Sequence, residues 1–344
     1  MRKFAMKNNS TFIIAELSAN HGNSLELALQ TVKAAKDSGA DAIKIQTFTP
    51  DTITLNCDND YFQIKQGTLW DGTTLYKLYE QGYTPWDWHD AIKKEAEKQG
   101  LIFFSTPFDH TAVDFLETLD VPIYKIASFE ITDIPLIEYA ASKAKPMIIS
   151  TGIASIADIQ GAINACHGVG NYDITLLKCT SSYPAPVEEA NLRTIPNMAE
   201  TFGVKVGLSD HTMGHSVALA AVALGASVIE KHFILDRSIG GPDASFSMTP
   251  EEFKEMVKNI REVELALGRI SYDLTDKMIA SRKFSRSLFI TKDVKEGEIF
   301  THENIKSIRP GDGISPKHLH KILGKRASGD YKLGTPFSWS CVKE

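Results

Sequence analysis

The chain has 344 residues and a mass of 38.0 kDa, 43% hydrophobic and 23% charged, which supplies a large buried core and excludes a disordered or fibrous protein. Forty-three acidic against 37 basic residues leave a formal charge of -6, which excludes a protein whose main task is to cover nucleic-acid phosphates. Four cysteines (Cys57, Cys166, Cys179, Cys341) lie far apart without C-x-x-C spacing, so no zinc knuckle or disulfide framework is expected.

The N-terminal segment reaches only the short apolar run from Phe12 to Ala15, and no later stretch approaches the ~20 apolar residues of a membrane span. The expectation is a cytoplasmic protein with no membrane or nucleic-acid partner. From there, short β-branched or apolar runs recur along the chain: Phe12 to Glu16, Ala42 to Gln46, Leu101 to Ser105, Ile123 to Ser128, Met147 to Thr151, Ile174 to Thr180, Val204 to Ser209 and Val228 to Phe233. Between them, segments such as SLELALQTVKAAKDSG and EEFKEMVKNIREVELALG place apolar residues at i, i+3, i+4 and i+7 and often end in glycine, as helices do. Alternating β and α units spread over about 250 residues predict a (β/α)8 TIM barrel, α/β in class. A doubly wound open sheet is the competing architecture, but no G-x-G-x-x-G opens the first helix.

About forty residues from Thr47 to Trp86 separate the second strand from its helix, and this aromatic, turn-rich segment reads as a lid or pocket wall. After Gly268 the pattern changes. Residues 271–285 read as a linker, and 286–344 as a small second domain of short strands and turns behind a barrel of residues 1–270. Residues 271–344 hold 14 basic against 9 acidic side chains, while residues 1–270 hold 23 against 34. A basic domain beside an acidic one can dock on it, within or between chains, although two solvated surfaces of different charge read equally well.

In a barrel of this kind chemistry collects where strands end. The strand ends are unusually polar: Glu16; Lys44 and Gln46; Ser105 and Thr106; Lys125, Ser128 and Glu130; Ser150 and Thr151; Lys178, Thr180 and Ser181; Ser209 and His211; Lys231 and His232. Lysines inside a small barrel are costly unless an anion compensates them. Lys44 and Lys125 near the hydroxyls of Ser128, Ser150 and Ser209 therefore suggest a phosphate or carboxylate ligand, whereas Lys178 and Lys231 alone read as ion-paired core residues. His211 and His232 follow adjacent strands and can converge on one divalent cation with open positions left for water and substrate. His211 with His215 at i, i+4 lacks the glutamate of H-E-x-x-H, so His215 reads as structural, as do His21, His89, His110 and His167. Glu16 and Glu130 could serve as a general acid/base and a sugar-hydroxyl acceptor, or as carboxylates balancing the lysines. Lys125 and a metal should keep Glu130 ionised in the absence of substrate.

At these strand ends the sequence resembles the sialic acid synthase family over essentially its whole length. The resemblance is carried by IIAELSANH (13–21), GADAIKIQTFTPDTITL (39–55), STPFD (105–109), YKIASFEITD (124–133), STG (150–152), LLKCTSSYP (176–184), GLSDHT (207–212), VIEKHFILDR (228–237), GGPDASFS (240–247) and SIRPG (307–311). It implies a barrel followed by an antifreeze-like (SAF) domain. It also implies condensation of phosphoenolpyruvate with an open-chain acylamino sugar aldehyde, giving a nine-carbon 2-keto acid and phosphate by carbon-oxygen cleavage.

Carried onto this chain, the resemblance makes His211 and His232 ligands of a divalent metal, Mn2+ first, with Mg2+ or Co2+ as alternatives. Glu130, with Lys125 and Glu16, would carry the chemistry. Lys44, Thr106, Lys125, Ser128, Ser150, Ser181 and Ser209 would hold phosphoenolpyruvate, and Glu16, Gln46, Tyr183, Asp243 and Arg309 would contact the sugar. Two departures stand out. Asn20-His21-Gly22-Asn23 puts the glycine one place earlier than the family's usual N-H-x-G, and Ser181 stands where N-acetylneuraminate synthases tend to carry asparagine. The second, with ELSANH, favours an acceptor other than the N-acetylneuraminate precursor. Pro310 and Gly311 should form a turn that projects Arg309, and the linker is long enough to cross to a partner, so a domain-swapped homodimer sharing Arg309 is expected. Two rival functions are a Schiff-base aldolase using Lys125 or Lys178 and a non-catalytic carbohydrate- or ice-binding protein.

Overall fold

Eight short parallel strands close on themselves in sequence order. They are β1 (Phe12–Glu16), β2 (Ala42–Thr47), β3 (Ile102–Pro107), β4 (Tyr124–Ile126), β5 (Met147–Ser150), β6 (Ile174–Cys179), β7 (Lys205–Asp210) and β8 (Val228–His232), with β8 paired back onto β1. This computed structural model describes residues 10–65 and 67–343. Closure leaves the barrel without an edge strand. The register that closes it pairs Phe12 with Val228 and Glu16 with His232, so β1 and β8 end level at one mouth.

Helices cover the outside, and their local chemistry explains their ends. Leu25–Asp37 starts at Ser24, whose side chain accepts a hydrogen bond from the Leu27 N–H, and buries Ala28, Thr31, Val32 and Ala35 on one face. Pro250–Leu267 begins with a reciprocal cap between Thr249 and Glu252, proline in its first turn, and buries Phe253, Met256, Val257 and Ile260. β4 is only three residues long because the chain turns at Ser128–Glu130 into a single 3-10 turn.

The long segment after β2 is ordered by its own short elements, the helices Pro50–Ile53 and Leu75–Gly82 and a bridge between Gln63 and Thr74. It is tied to other loops of the mouth by the Trp70 indole N–H, which donates to the Pro242 carbonyl at 3.1 Å, and internally by the Trp86 indole N–H to the Phe48 carbonyl at 3.2 Å.

The chain divides into two compact units at Gly268/Arg269. The second pairs β9 (Ser287–Ile290) antiparallel with β10 (Ile305–Ile308) around a separate core of Leu288, Ile290, Val294, Phe300, Ile305, Ile322, Ala327, Phe337 and Cys341. The stretch read as a linker is exposed throughout and carries a short helix, Asp276–Ser281, capped by Thr275. All four cysteines are free. Among the described residues no helix is long and apolar enough to cross a membrane.

Candidate active site

Side chains alternate along a strand, so every second residue points into the barrel. Phe12, Ile14, Ala42, Phe104, Ile123, Ile148, Leu177 and Val228 form one apolar cluster, the barrel's inner floor. Two residues further along the same faces, toward the strands' C-terminal ends, the character turns polar: Glu16, Lys44, Thr106, Lys125, Ser150, Cys179 and Glu230, joined by Ser209 two places after Gly207, all buried. The same alternation sends Ser105, Lys178 and Lys231 to the opposite face, away from this layer. Ser105 instead bonds Thr47 at 2.6 Å, Lys178 donates to the Cys179 carbonyl at 2.7 Å, and Lys231 pairs with Asp210 at 2.7 Å.

Within the layer Lys44 pairs with Glu16, donates to Thr106 Oγ1 at 3.1 Å and lies 3.7 Å from Glu230. Lys125 donates to Ser150 Oγ at 2.7 Å and to the Ile126 carbonyl at 3.0 Å, with Glu230 3.7 Å away. Glu230 accepts from Ser209 Oγ at 2.9 Å, so it sits between both lysines. It had not been singled out in the sequence, although it stands two residues before His232 on the same face.

Burial sets the protonation balance here. Desolvation alone would raise Glu230, but Lys125 and Lys44 outweigh it and hold the carboxyl well below its ordinary range. Glu16 goes the other way, pushed up by burial despite Lys44. Lys44 is desolvated too, yet its two carboxylates keep it above its ordinary value, whereas burial pushes Lys125 down. Of the two groups expected to keep Glu130 ionised, Lys125 by itself does not: burial outweighs the lysine and pushes Glu130 up to about 7. Its Oε2 is buried without a hydrogen-bond partner among the described residues.

Ser128 and Ser181 meet with hydroxyls 2.7 Å apart. Gly152 makes room for them, since a Cβ there would collide with Ser181 Oγ and stand 2.5 Å from Ser128 Oγ. His211 and His232 face one another with ring centroids 5.3 Å apart. His211 Nδ1 lies 3.0 Å from the Thr180 carbonyl; donating there leaves Nε2 with a free lone pair. His232 Nδ1 is 3.5 Å from Asp243 Oδ2 and buried with no hydrogen-bond partner among the described residues. One orphaned ring nitrogen and one ring with a free lone pair fit a divalent metal held by two imidazoles. Among the described residues no group of three or more His, Cys, Asp or Glu adds further ligands.

The remaining candidates scatter around this centre. Tyr183 packs its ring 4.4 Å from His211 and 5.2 Å from Phe246, whose own ring is 5.0 Å from His232. Gln46 is in register with Thr106 at the end of β2. Arg309 follows β10 in the second unit and is exposed. Among the other histidines, His89 bonds Thr47 at 2.8 Å and is pushed down by burial to about 4, a neutral core residue, and His215 receives the Asn259 amide at 3.3 Å.

The early glycine after β1 is accommodated by two consecutive left-handed residues, Gly22 at φ 52° and Asn23 at φ 53°. Asn20 ties this turn to the β8 loop, donating to the Phe233 carbonyl at 3.1 Å and to Ser247 Oγ at 2.8 Å.

Comparison with known proteins places these features in a lineage. Residues 31–272 match the NeuB family and residues 285–343 the SAF domain. The pseudaminic acid synthase of Campylobacter jejuni is 50% identical over 94% of this chain and 94% of its own length, and that of Helicobacter pylori is 50% identical over 95% and 96%. Among solved structures, the spore coat polysaccharide biosynthesis protein spsE of Bacillus subtilis superposes with a TM-score of 0.66 at 33% identity, covering 98% of this chain and 96% of that one.

Proposed function

The chain belongs to the NeuB family, and we propose that it acts as a pseudaminic acid synthase, condensing phosphoenolpyruvate with 2,4-diacetamido-2,4,6-trideoxy-L-altrose and water to give pseudaminic acid and phosphate. The observation that carries this reading is the buried layer of Lys44 and Lys125 with its hydroxyls, lying in the same barrel mouth as the His211–His232 pair. Lys44 and Lys125 face Glu16 and Glu230, but burial pushes Glu16 toward its neutral form, and that shift suits a ligand that brings its own negative charge. The phosphate and carboxylate of phosphoenolpyruvate provide it, with Thr106, Ser128, Ser150, Ser181 and Ser209 as hydroxyl partners.

In this reading carbon 3 of phosphoenolpyruvate forms a bond to the aldehyde carbon, whose oxygen takes up a proton. Carbon 2 is left cationic and accepts water, which loses a proton. The new carbon 2 hydroxyl then closes to the ketone and gives up its proton as the bond from carbon 2 to the bridging oxygen breaks, and phosphate leaves with that oxygen. Glu130 faces this change as the carboxylate that stabilises the cation and carries the proton. Glu16, Gln46, Tyr183 and Asp243 orient the sugar. A divalent metal on His211 and His232, Mn2+ first, supplies polarisation of the aldehyde and a more acidic water when bound.

Purified protein offered phosphoenolpyruvate and a panel of amino-sugar aldehydes should release phosphate, fastest with the diacetamido-trideoxy sugar. A higher kcat/KM for N-acetylmannosamine would return the chain to general sialic acid synthesis. With 18O at the bridging position the label should appear in phosphate; label in the keto acid would require phosphorus-oxygen cleavage instead. A Schiff-base aldolase is the second reading, favoured by one observation, that burial lowers Lys125. Borohydride with keto acid should leave Lys125 unmodified, and a trapped adduct would favour the aldolase.

The assembly is part of the proposal: a domain-swapped homodimer in which Arg309 of the partner subunit completes each site. Its support is the charge difference between the two parts of the chain and the exposed apolar side chains Ile270, Tyr272, Ile279 and Phe284 along the stretch between them, which a second copy would cover.

A further inference from the structure

The segment after β2 brings aromatic residues toward the mouth of the barrel, and Trp70 stands beside Tyr183 there. Trp70 sits near the tip of the excursion bracketed by the Gln63–Thr74 bridge. Asp71 shapes that tip, accepting from the N–H groups of Gly67 and Thr68, each at 2.9 Å. At the far end of the segment, the Cβ position of Gly82 is 3.2 Å from Ala19 and 3.8 Å from Pro242, so the excursion is seated on the β1 and β8 loops. The Trp70 ring lies 5.5 Å from Tyr183, which in turn packs 4.4 Å from His211. Through Pro242 the indole also stands one residue from Asp243, whose carboxylate is 3.5 Å from His232. Trp70 thus borders the site from two sides, one ring outward from the histidine pair.

The indole N–H is already engaged by the Pro242 carbonyl at 3.1 Å, and indole has no other donor. What Trp70 has left to offer a ligand is an apolar π face. Such a face favours methyl and deoxygenated carbons and leaves a hydroxyl pressed against it unpaired. We propose that Trp70 is a specificity-determining residue: its indole, tilted against Tyr183 at an interplanar angle of 51°, is the wall that receives the acylamino methyl and deoxy carbons of the sugar. This rests on the synthase reading above and names which part of the substrate that site selects. It also gives the long segment a function in recognition, as a wall held in place by the Pro242 and Asp71 contacts.

The test is steady-state kinetics with phosphoenolpyruvate and two acceptors, the diacetamido-trideoxy sugar and N-acetylmannosamine. The wild-type protein is measured first: failure to release phosphate with either acceptor defeats the synthase reading itself. Given turnover, Trp70→Ala should lower the ratio of kcat/KM values for the two sugars by about tenfold or more, and the KM for phosphoenolpyruvate should stay within about twofold. Trp70→Phe, which keeps an apolar face, should retain most of the ratio and guards against loss of the loop's fold. A ratio unchanged in Trp70→Ala, equal losses for both sugars, or a loss in Trp70→Phe as large as in Trp70→Ala would each overturn the assignment.

Discussion

Glu130 sits in an environment that its sequence context does not announce. A lysine five residues earlier promises an ionised carboxylate, yet burial pushes the group up to about 7. Because the folded-state value lies above the ordinary 4.5, Glu130 contributes stability at pH values below about 4.5 and loses it as pH rises to about 7. Relative to Glu130→Gln, the unfolding free energy of the wild type should fall by about 3 kcal/mol across that window. Denaturant titrations of both proteins at pH 4.5 and pH 8 measure it, and a constant difference would show an ordinary carboxylate. In turnover the same substitution should cost kcat about a hundredfold or more while phosphoenolpyruvate still binds.

Gly152 is a second residue whose importance is one of space. A methyl group there would collide with the Ser128 and Ser181 hydroxyls, the ends of short side chains that would have to turn aside. Gly152→Ala should therefore melt within a few degrees of the wild type while raising the KM for phosphoenolpyruvate about tenfold, or about 1.4 kcal/mol of lost binding. An unchanged KM would remove the serine pair from the phosphoenolpyruvate site.

For the strands, alternation decides which residues meet. Asp210 and Lys231 lie opposite one another in the β7–β8 ladder, each immediately before a histidine of the pair. They form an ion pair with both side chains 1% exposed, and Lys231 also donates to the Thr212 carbonyl at 2.6 Å. Breaking a buried pair by removing one partner leaves an uncompensated charge. Lys231→Met should therefore destabilise by about 3–5 kcal/mol, and Asp210→Asn combined with Lys231→Met by much less. Thermal melts of the two single variants and the double variant measure the coupling, and strict additivity would mean the pair contributes nothing. A polar run at a strand end looks uniform in the sequence, but period two divides it into a layer facing into the barrel and one facing away from it.

For the whole molecule, the question is whether one chain holds a complete site. Mixing inactive Arg309→Ala with inactive Glu130→Gln should restore up to about a quarter of wild-type turnover per subunit if sites are shared across a dimer, because random exchange makes half the dimers mixed and each mixed dimer holds one intact site. Exchange confirmed by mass without restored activity would assign Arg309 to its own chain. Chelator should abolish activity and Mn2+ restore it, with His211→Ala and His232→Ala each lowering metal affinity as read by titration calorimetry.

The barrel was legible in the sequence because its signals are local: strand runs such as Val228 to Phe233 and helix periodicity such as that of Pro250–Leu267 depend on residues only a few places apart. Glu16, Lys44, Lys125, His211 and His232 could be singled out for the same reason, since strand ends can be found and chemistry collects there. What depended on closure could not be read this way. The place of Glu230 between two lysines, the outward face of Lys231 and the seating of Trp70 beside Tyr183 join residues from distant parts of the chain. Burial, which sets the protonation of Glu130, is likewise a property of the packed barrel, because desolvation depends on what surrounds a group and not on its neighbours in the chain.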